Sequence, residues 1–243
     1  MTKTFISDSP MRIYALSEKS VTIEFGDTIS KDLSDTIAAF NEVILRNPFS
    51  GLNSTVPGYC TLSIFYDPVL VNASALSGET CFEKVSAYVN LLSLKEKNDA
   101  TFLSDQVIIP VCYDEQFGPD ISEVANINNL SKAEVIQLHT AVEYRVFMIG
   151  FVPGFAYLGG MDERLSTPRK QFPNPRIAPG SVGIAGGQTG IYPMETPGGW
   201  QIIGRTPIKM FDAAREIPSF LKAGDQVVFK SISAKAFNDL VEV

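Results

Sequence analysis

The stretch 180-GSVGIAGGQTGIYPMETPGGWQIIGRTP-207 decides how the second half of this chain folds. Two short apolar runs, Val182 to Ala185 and Gln201 to Ile203, lie among glycines and prolines, and the single tryptophan, Trp200, falls between them. Glycine-rich loops hold phosphate when a helix follows, because the helix N-terminus presents unpaired N–H groups and the positive end of its dipole. Here Pro193 and Pro197 stop any such helix. The frame from Ala185 to Gly190 lacks the first glycine of GxGxxG, and the chain contains no GxxxxGK[ST] string. The stretch therefore reads as short strands joined by tight turns. Glycine permits close backbone approach and positive φ, and two uses of it stay open: the corners of a barrel, or the wall of a pocket. In the second use Gly186 and Gly187 form the wall, and Trp200 with Tyr192 forms an apolar platform. Gln188, Thr189, Tyr192 and Glu195 would then supply an amide, a hydroxyl, a phenol and a carboxylate.

Outward from this stretch, Gln106 to Cys112, Glu143 to Phe151 and Gln226 to Phe229 are rich enough in β-branched and aromatic residues to be strands. Asp120 with Glu123, and Ser131 with Glu134, stand at capping-box spacing, so each pair is expected to open a short helix. Towards the N-terminus the pattern changes. Arg12 to Leu16 and Val21 to Phe25 read as a hairpin, and Thr61 to Tyr66 as a strand stopped by Asp67-Pro68. Leu33, Ile37, Phe40, Val43 and Ile44 give Ser30 to Arg46 a helical stripe, and Phe82, Val85, Val89 and Leu92 do the same for Glu79 to Lys97. Lys95 to Thr101 is polar and reads as a linker. The expectation is an α+β protein: a two-layer α/β domain over residues 1–100, then a β-barrel domain over 101–243.

Composition excludes several functions. The chain has 243 residues, of which 45% are hydrophobic and 19% charged, enough to bury real cores. A net charge of −7 argues against nucleic acid, which needs a basic face. The two adjacent short helices resemble a helix-turn-helix in outline, but Lys132 is the only basic residue of the second, so they are read as packing elements. No apolar run approaches the roughly 20 residues that span a bilayer, and MTKTFISDSP shows no signal-peptide pattern. Cys60, Cys81 and Cys112 are odd in number and widely spaced, which fits free thiols in a reducing cytoplasm. With one histidine, a histidine-based metal cluster is not expected.

Four segments carry a resemblance: 56-VPGYCTLSIFYDP-68, 109-IPVCYDEQFGPDISEV-124, 138-LHTAVEYRVFMIGFVPGFAYLGGMDERLSTPR-169 and 178-APGSVGIAGGQTGIYPMETPGGWQIIGRTP-207. In these the chain resembles the allophanate hydrolase subunit 1 family, which includes the 5-oxoprolinase B subunits and the KipI-type kinase inhibitors. The resemblance implies a small N-terminal α/β domain and a cyclophilin-like β-barrel. It also implies an incomplete enzyme, which acts with the 5-oxoprolinase C subunit, of related barrel fold, and the A subunit to open 5-oxo-L-proline to L-glutamate. ATP is then a co-substrate of the complex, and no tightly bound cofactor is expected. Two alternatives come with the family: inhibition of a sensor histidine kinase by binding, and a carboxyltransferase partner of a biotin-dependent carboxylase.

A lactam is a poor electrophile, so the implied reaction needs a cation for the substrate carboxylate, donors for the developing oxyanion, and a group that moves a proton. His139 is the side chain whose ordinary pKa lies nearest neutrality, and its HT pair matches the family motif; it is the expected catalytic group, with Glu195 as a base or orienter. Arg145, Arg169, Arg176 and Arg205 are the candidate cations, with Arg176 placed first because the prolines of PNPRIAPGS would stiffen its backbone, and Arg205 with it because GRTP lies beside the glycine loop. Gln188 is expected to recognise the substrate amide. Phe155 and Tyr157, in GFVPGFAYLGG, read equally as an aromatic pocket wall and as a wedge at a subunit interface.

Overall fold

The computed structural model describes residues 11–95 and 106–241. The chain divides into two compact units, Met1–Leu103 and Ser104–Val243. The proposed linker at Lys95 to Thr101 lies almost wholly outside the described residues.

In the first unit the elements are β1 (Arg12–Ser17), β2 (Ser20–Glu24), α1 (Lys31–Arg46), β3 (Leu52–Pro57), β4 (Thr61–Tyr66), α2 (Pro68–Ala73) and α3 (Cys81–Lys95). The strands form one antiparallel sheet in the order β1-β2-β4-β3. Alternation does the sorting: Val21, Ile23, Leu62 and Ile64 all point to one face and are fully buried, against Ile37 and Ile44 of α1 and Val85 and Val89 of α3. Ser30 caps α1 through its hydroxyl, which accepts from the Leu33 N–H. Asp67-Pro68 differs from expectation. It ends β4 but also starts α2, because Asp67 accepts from the Val69 and Leu70 N–H groups and Pro68 sits where a missing N–H costs nothing.

The second unit contains β5 (Gln106–Val111), α4 (Ile121–Ile127), α5 (Lys132–Thr140), β6 (Glu143–Ile149), β7 (Ala156–Gly159), β8 (Asn174–Ile177), β9 (Ser181–Ala185), β10 (Gln188–Ile191), β11 (Thr196–Gly198), β12 (Gln201–Arg205), β13 (Gln226–Ser231) and α6 (Ala234–Val241). Seven strands form one curled sheet in the order β12-β9-β10-β7-β6-β13-β5, and β8 pairs with β11 as a separate ribbon. Every neighbour is antiparallel except β13 and β5. The sheet curls far enough for its two edges to touch: Cys112, just past β5, and Arg205, at the end of β12, exchange both backbone hydrogen bonds at 2.9 Å. The protein is thus α+β, with a small antiparallel sheet and helices followed by the curled seven-stranded sheet.

The curled sheet has two buried faces, and period-two alternation assigns side chains between them. Val182, Ile184, Thr189, Ile191 and Ile203 face the interior with Val146, Leu158 and Phe229. Ala185, Tyr192, Trp200 and Ile202 face outward into a second cluster centred on Phe155. The helices α4 and α5 pack on β12 and β13 with Val124 and Val135 fully buried, consistent with a packing role. Ser131 and Glu134 form the expected reciprocal capping box of α5. Asp120 does not cap α4. Its carboxylate is taken instead by the Ile202 N–H at 2.7 Å and the Lys170 ammonium at 2.6 Å, the second of which adds opposite charge to the hydrogen bond.

Candidate functional site

The residues singled out by sequence fall into three groups in space. The first is inside the curled sheet. His139, at the end of α5, is fully buried. Its ring stacks on Phe229 with centroids 4.5 Å apart, and both ring nitrogens are engaged. Thr189 Oγ1 donates to the Gly183 carbonyl at 2.9 Å, so it accepts from His139 Nε2 at 3.0 Å. That leaves Nδ1 unprotonated, to accept from the Tyr113 hydroxyl at 2.8 Å. The imidazole is therefore neutral, and burial pulls its pKa down to about 3. Burial also raises the Tyr113 phenol well above its ordinary range. His139 and Thr189 are joined, as the pocket reading requires, but on the core side of β10, away from solvent. A proton-transfer group works best with a pKa near the working pH; the His139 imidazole lies away from solvent with its pKa far below that.

The second group is on the exposed ribbon. Arg176 of β8 pairs with Glu195, just before β11, at 3.2 Å, and both are largely exposed. Each thus satisfies the other rather than converging with Gln188. Arg205 lies apart from both, donating Nε to the Pro179 carbonyl at 2.7 Å with its guanidinium over the Phe237 ring. Gly186 and Gly187 form the two-residue turn between β9 and β10; Gly186 has φ +56°, and a Cβ on either would meet nothing within 4 Å. They turn a hairpin, the barrel-corner use of glycine.

The third group is the outward cluster, and it brings four of the expected residues together. Phe155 makes edge-to-face contacts with Tyr157, Tyr192 and Trp200 at centroid distances of 4.8, 5.1 and 5.4 Å. Glycines make this layer possible by close approach. A Cβ on Gly190 would stand 3.0 Å from both Phe155 and Trp200, and one on Gly198 would collide with the Tyr192 hydroxyl. Burial pushes the Tyr192 phenol up to about 12, so it is a neutral hydrogen-bonding group. Gln188, half-buried on β10, belongs to the same outward row as Gly190, the partner of Tyr157. Phe151 extends the layer into solvent; it is 60% exposed, its ring lies 5.6 Å from that of Phe155, and its φ of +67° is a conformation that aromatic residues rarely adopt.

Arg169, a candidate cation that the sequence did not place first, belongs to this region. The segment carrying Pro168 and Arg169 crosses the outward face and is pinned at both ends. Thr167 and Gly186 exchange backbone bonds, Gln201 donates to the Pro168 carbonyl, and Lys170 N–H donates to the Gly199 carbonyl while its ammonium binds Asp120. Arg169 projects from this pinned segment, exposed, and its positive charge lowers both the Tyr157 and Tyr192 phenols against the rise that burial causes. Lys170 and Asp120 have no motif spacing, being fifty positions apart, and only the fold joins them. Among the described residues no three metal-ligating side chains cluster, and no helix is long and apolar enough to cross a membrane.

The class of protein that carries this fold and site is shown by the sequence match: the chain belongs to the carboxyltransferase domain family, subdomains C and D, which it matches over residues 11–221. Within it, the chain is 43% identical to the 5-oxoprolinase B subunit of Bacillus subtilis (strain 168), over 93% of this chain and 95% of that protein. It is 36% identical to the 5-oxoprolinase B subunit of Escherichia coli O157:H7, over 90% and 94%. Among solved structures, TTHA0988 is 35% identical with a TM-score of 0.75, covering 89% of this chain and 40% of that longer one. The urea amidolyase of K. lactis, 17% identical with a TM-score of 0.71 over 96% of this chain and 15% of that one, shares the fold.

Proposed function

We propose that this chain is the B subunit of a cytoplasmic, ATP-dependent 5-oxoprolinase, which acts with the A and C subunits to open 5-oxo-L-proline to L-glutamate. The near full-length likeness to two bacterial 5-oxoprolinase B subunits carries the reading. In the reaction the oxygen of one water joins the lactam carbon, the ring C–N bond breaks, and the nitrogen leaves as the amine; a second water is consumed overall as ATP becomes ADP and phosphate. The second unit is read as a cyclophilin-like barrel, supported by the contact between Cys112 and Arg205 that brings its edges together. The occurrence of the same fold as part of a longer TTHA0988 chain supports a subunit that works beside further domains.

The geometry favours a substrate-holding role for this chain. The outward layer of Phe155, Tyr157, Tyr192 and Trp200, with Gln188 in the same row, is the part of the expected site that the fold assembles. His139 is given the role of fixing Thr189 and hence β10 from within, and proton transfer falls to groups contributed by the other two subunits. The test is reconstitution: with the A and C subunits, ATP and 5-oxo-L-proline, glutamate should form only when this chain is present. Full activity without it would reject the reading. The burial of His139 also favours a second reading, a KipI-type inhibitor that binds a sensor histidine kinase and performs no chemistry. Recovery of a histidine kinase on the tagged chain, and of neither other 5-oxoprolinase subunit, would decide for it.

A further inference from the structure

Six arginines lie in the described part of the second unit, and five are accounted for. Arg145 is buried in the sheet; Arg164 pairs with Asp162 at 2.7 Å; Arg176 pairs with Glu195; Arg205 donates to the Pro179 carbonyl; Arg215 donates to the Lys209 carbonyl at 3.1 Å. Arg169 differs. Among the described residues no carboxylate pairs with it, although it stands on the most heavily tied segment of the outward face. An exposed arginine on mobile chain is commonplace, whereas one on a backbone tied on both sides, beside the Gly198-Gly199 turn that accommodates the Tyr192 hydroxyl, is pre-organised to receive a ligand. The glycines beside it agree. Arg169 Cβ lies 3.9 Å from where a Cβ of Gly199 would stand, and the neighbouring Gly198 leaves room for the Tyr192 hydroxyl.

We infer that Arg169 is the carboxylate-binding residue of this chain and holds a small carboxylate-bearing ring against Tyr157, with Phe155 and Trp200 backing that phenol. Guanidinium and carboxylate match through two parallel hydrogen bonds, and a saturated five-membered ring is apolar enough to lie on an aromatic edge. This deepens the proposed function, and it rests on that reading only for the identity of the ring.

Trp200 is the chain's single tryptophan and its ring lies 5.9 Å from that of Tyr157, so its fluorescence reports on this surface. The experiment titrates 5-oxo-L-proline and the uncharged 2-pyrrolidinone into the full chain, alone and in the complex with its two partner subunits, and measures steady-state kinetics of the complex. Expected are a saturable Trp200 response to 5-oxo-L-proline at concentrations where 2-pyrrolidinone gives none, and its loss in Arg169→Gln. In that variant KM for 5-oxo-L-proline should rise about tenfold or more, the scale of losing a charge-assisted bond, with the loss falling on KM more than on kcat. Arg169→Lys should recover part of it. Unchanged KM and unchanged fluorescence in Arg169→Gln would overturn the inference and leave the 5-oxoprolinase reading standing. A Trp200 response to small carboxylates that needs Arg169, in a complex that forms no glutamate, would uphold the carboxylate site and reject that reading. Equal responses to 5-oxo-L-proline and 2-pyrrolidinone would also overturn the inference.

Discussion

At the scale of single residues, His139 shows how burial decides protonation: the expected catalytic group is fully buried, with both ring nitrogens hydrogen-bonded. An imidazole in a pocket and one in a core have the same sequence signature, a lone histidine at a helix end. What separates them is solvation, and the charged form is excluded here because the ring is fully buried. The consequence is a pH dependence of stability. The unfolded chain takes up a proton near the ordinary histidine pKa of about 6.5, whereas the folded chain does so only near 3. Between these values the unfolded state binds more protons, so stability is full above the upper value and falls as pH drops through the window. Urea titrations from pH 7 to pH 4 should show this loss in the native chain and a shallower one in His139→Gln; equal slopes would contradict it. Gly190 is a second case. Gly190→Ala would place a methyl 3.0 Å from Phe155 and Trp200, and should cost about 1–3 kcal/mol in denaturant unfolding while leaving the interior cluster intact.

At the scale of elements, the long amphipathic helices and the evenly alternating strands were legible. α1, α3, β4, β9 and β13 follow from period and capping alone, because each presents one continuous apolar face whatever its neighbours are. The four strands that sequence reasoning did not isolate within the second unit, β7, β8, β10 and β11, are three or four residues long and glycine- or proline-bearing. At that length their alternation is too short to register, and only pairing defines them. The same limit applies to Asp120. Its spacing to Glu123 is that of a capping box, but a cap is one of several possible partners for a carboxylate, and the approach of Lys170 and of β12 decides between them. Asp120→Ala removes both partners and should destabilise the second unit by about 2–3 kcal/mol, the scale of hydrogen bonds to a charged group. Asp120→Asn, which keeps an acceptor for the Ile202 N–H, should cost less. Thermal or urea unfolding of the two variants checks the order.

At the scale of the molecule, the contact between Cys112 and Arg205 joins the edges of the seven-stranded sheet, so the amide protons at this seam should exchange as slowly as those of the central strand β6. Amide exchange at Cys112 and Arg205 as fast as at the free edge strand β1 of the first sheet would show that the seam opens in solution. The sequence alone determined that the chain is α+β, that its glycine-rich stretch is strand and turn rather than a phosphate loop, and that its motifs belong to one family. These conclusions depend on local properties: period, proline blocks, capping and residue identity. The tertiary structure alone decided which candidates meet. It put Thr189 and His139 on one face of β10 and Gln188 on the row opposite, tied Arg176 to Glu195, and set Arg169 beside Gly199, next to the glycine that makes room for the Tyr192 hydroxyl. Adjacent positions in a strand point to opposite sides of a sheet, and a sheet buried on both sides conceals which side each one takes until its partners are in place.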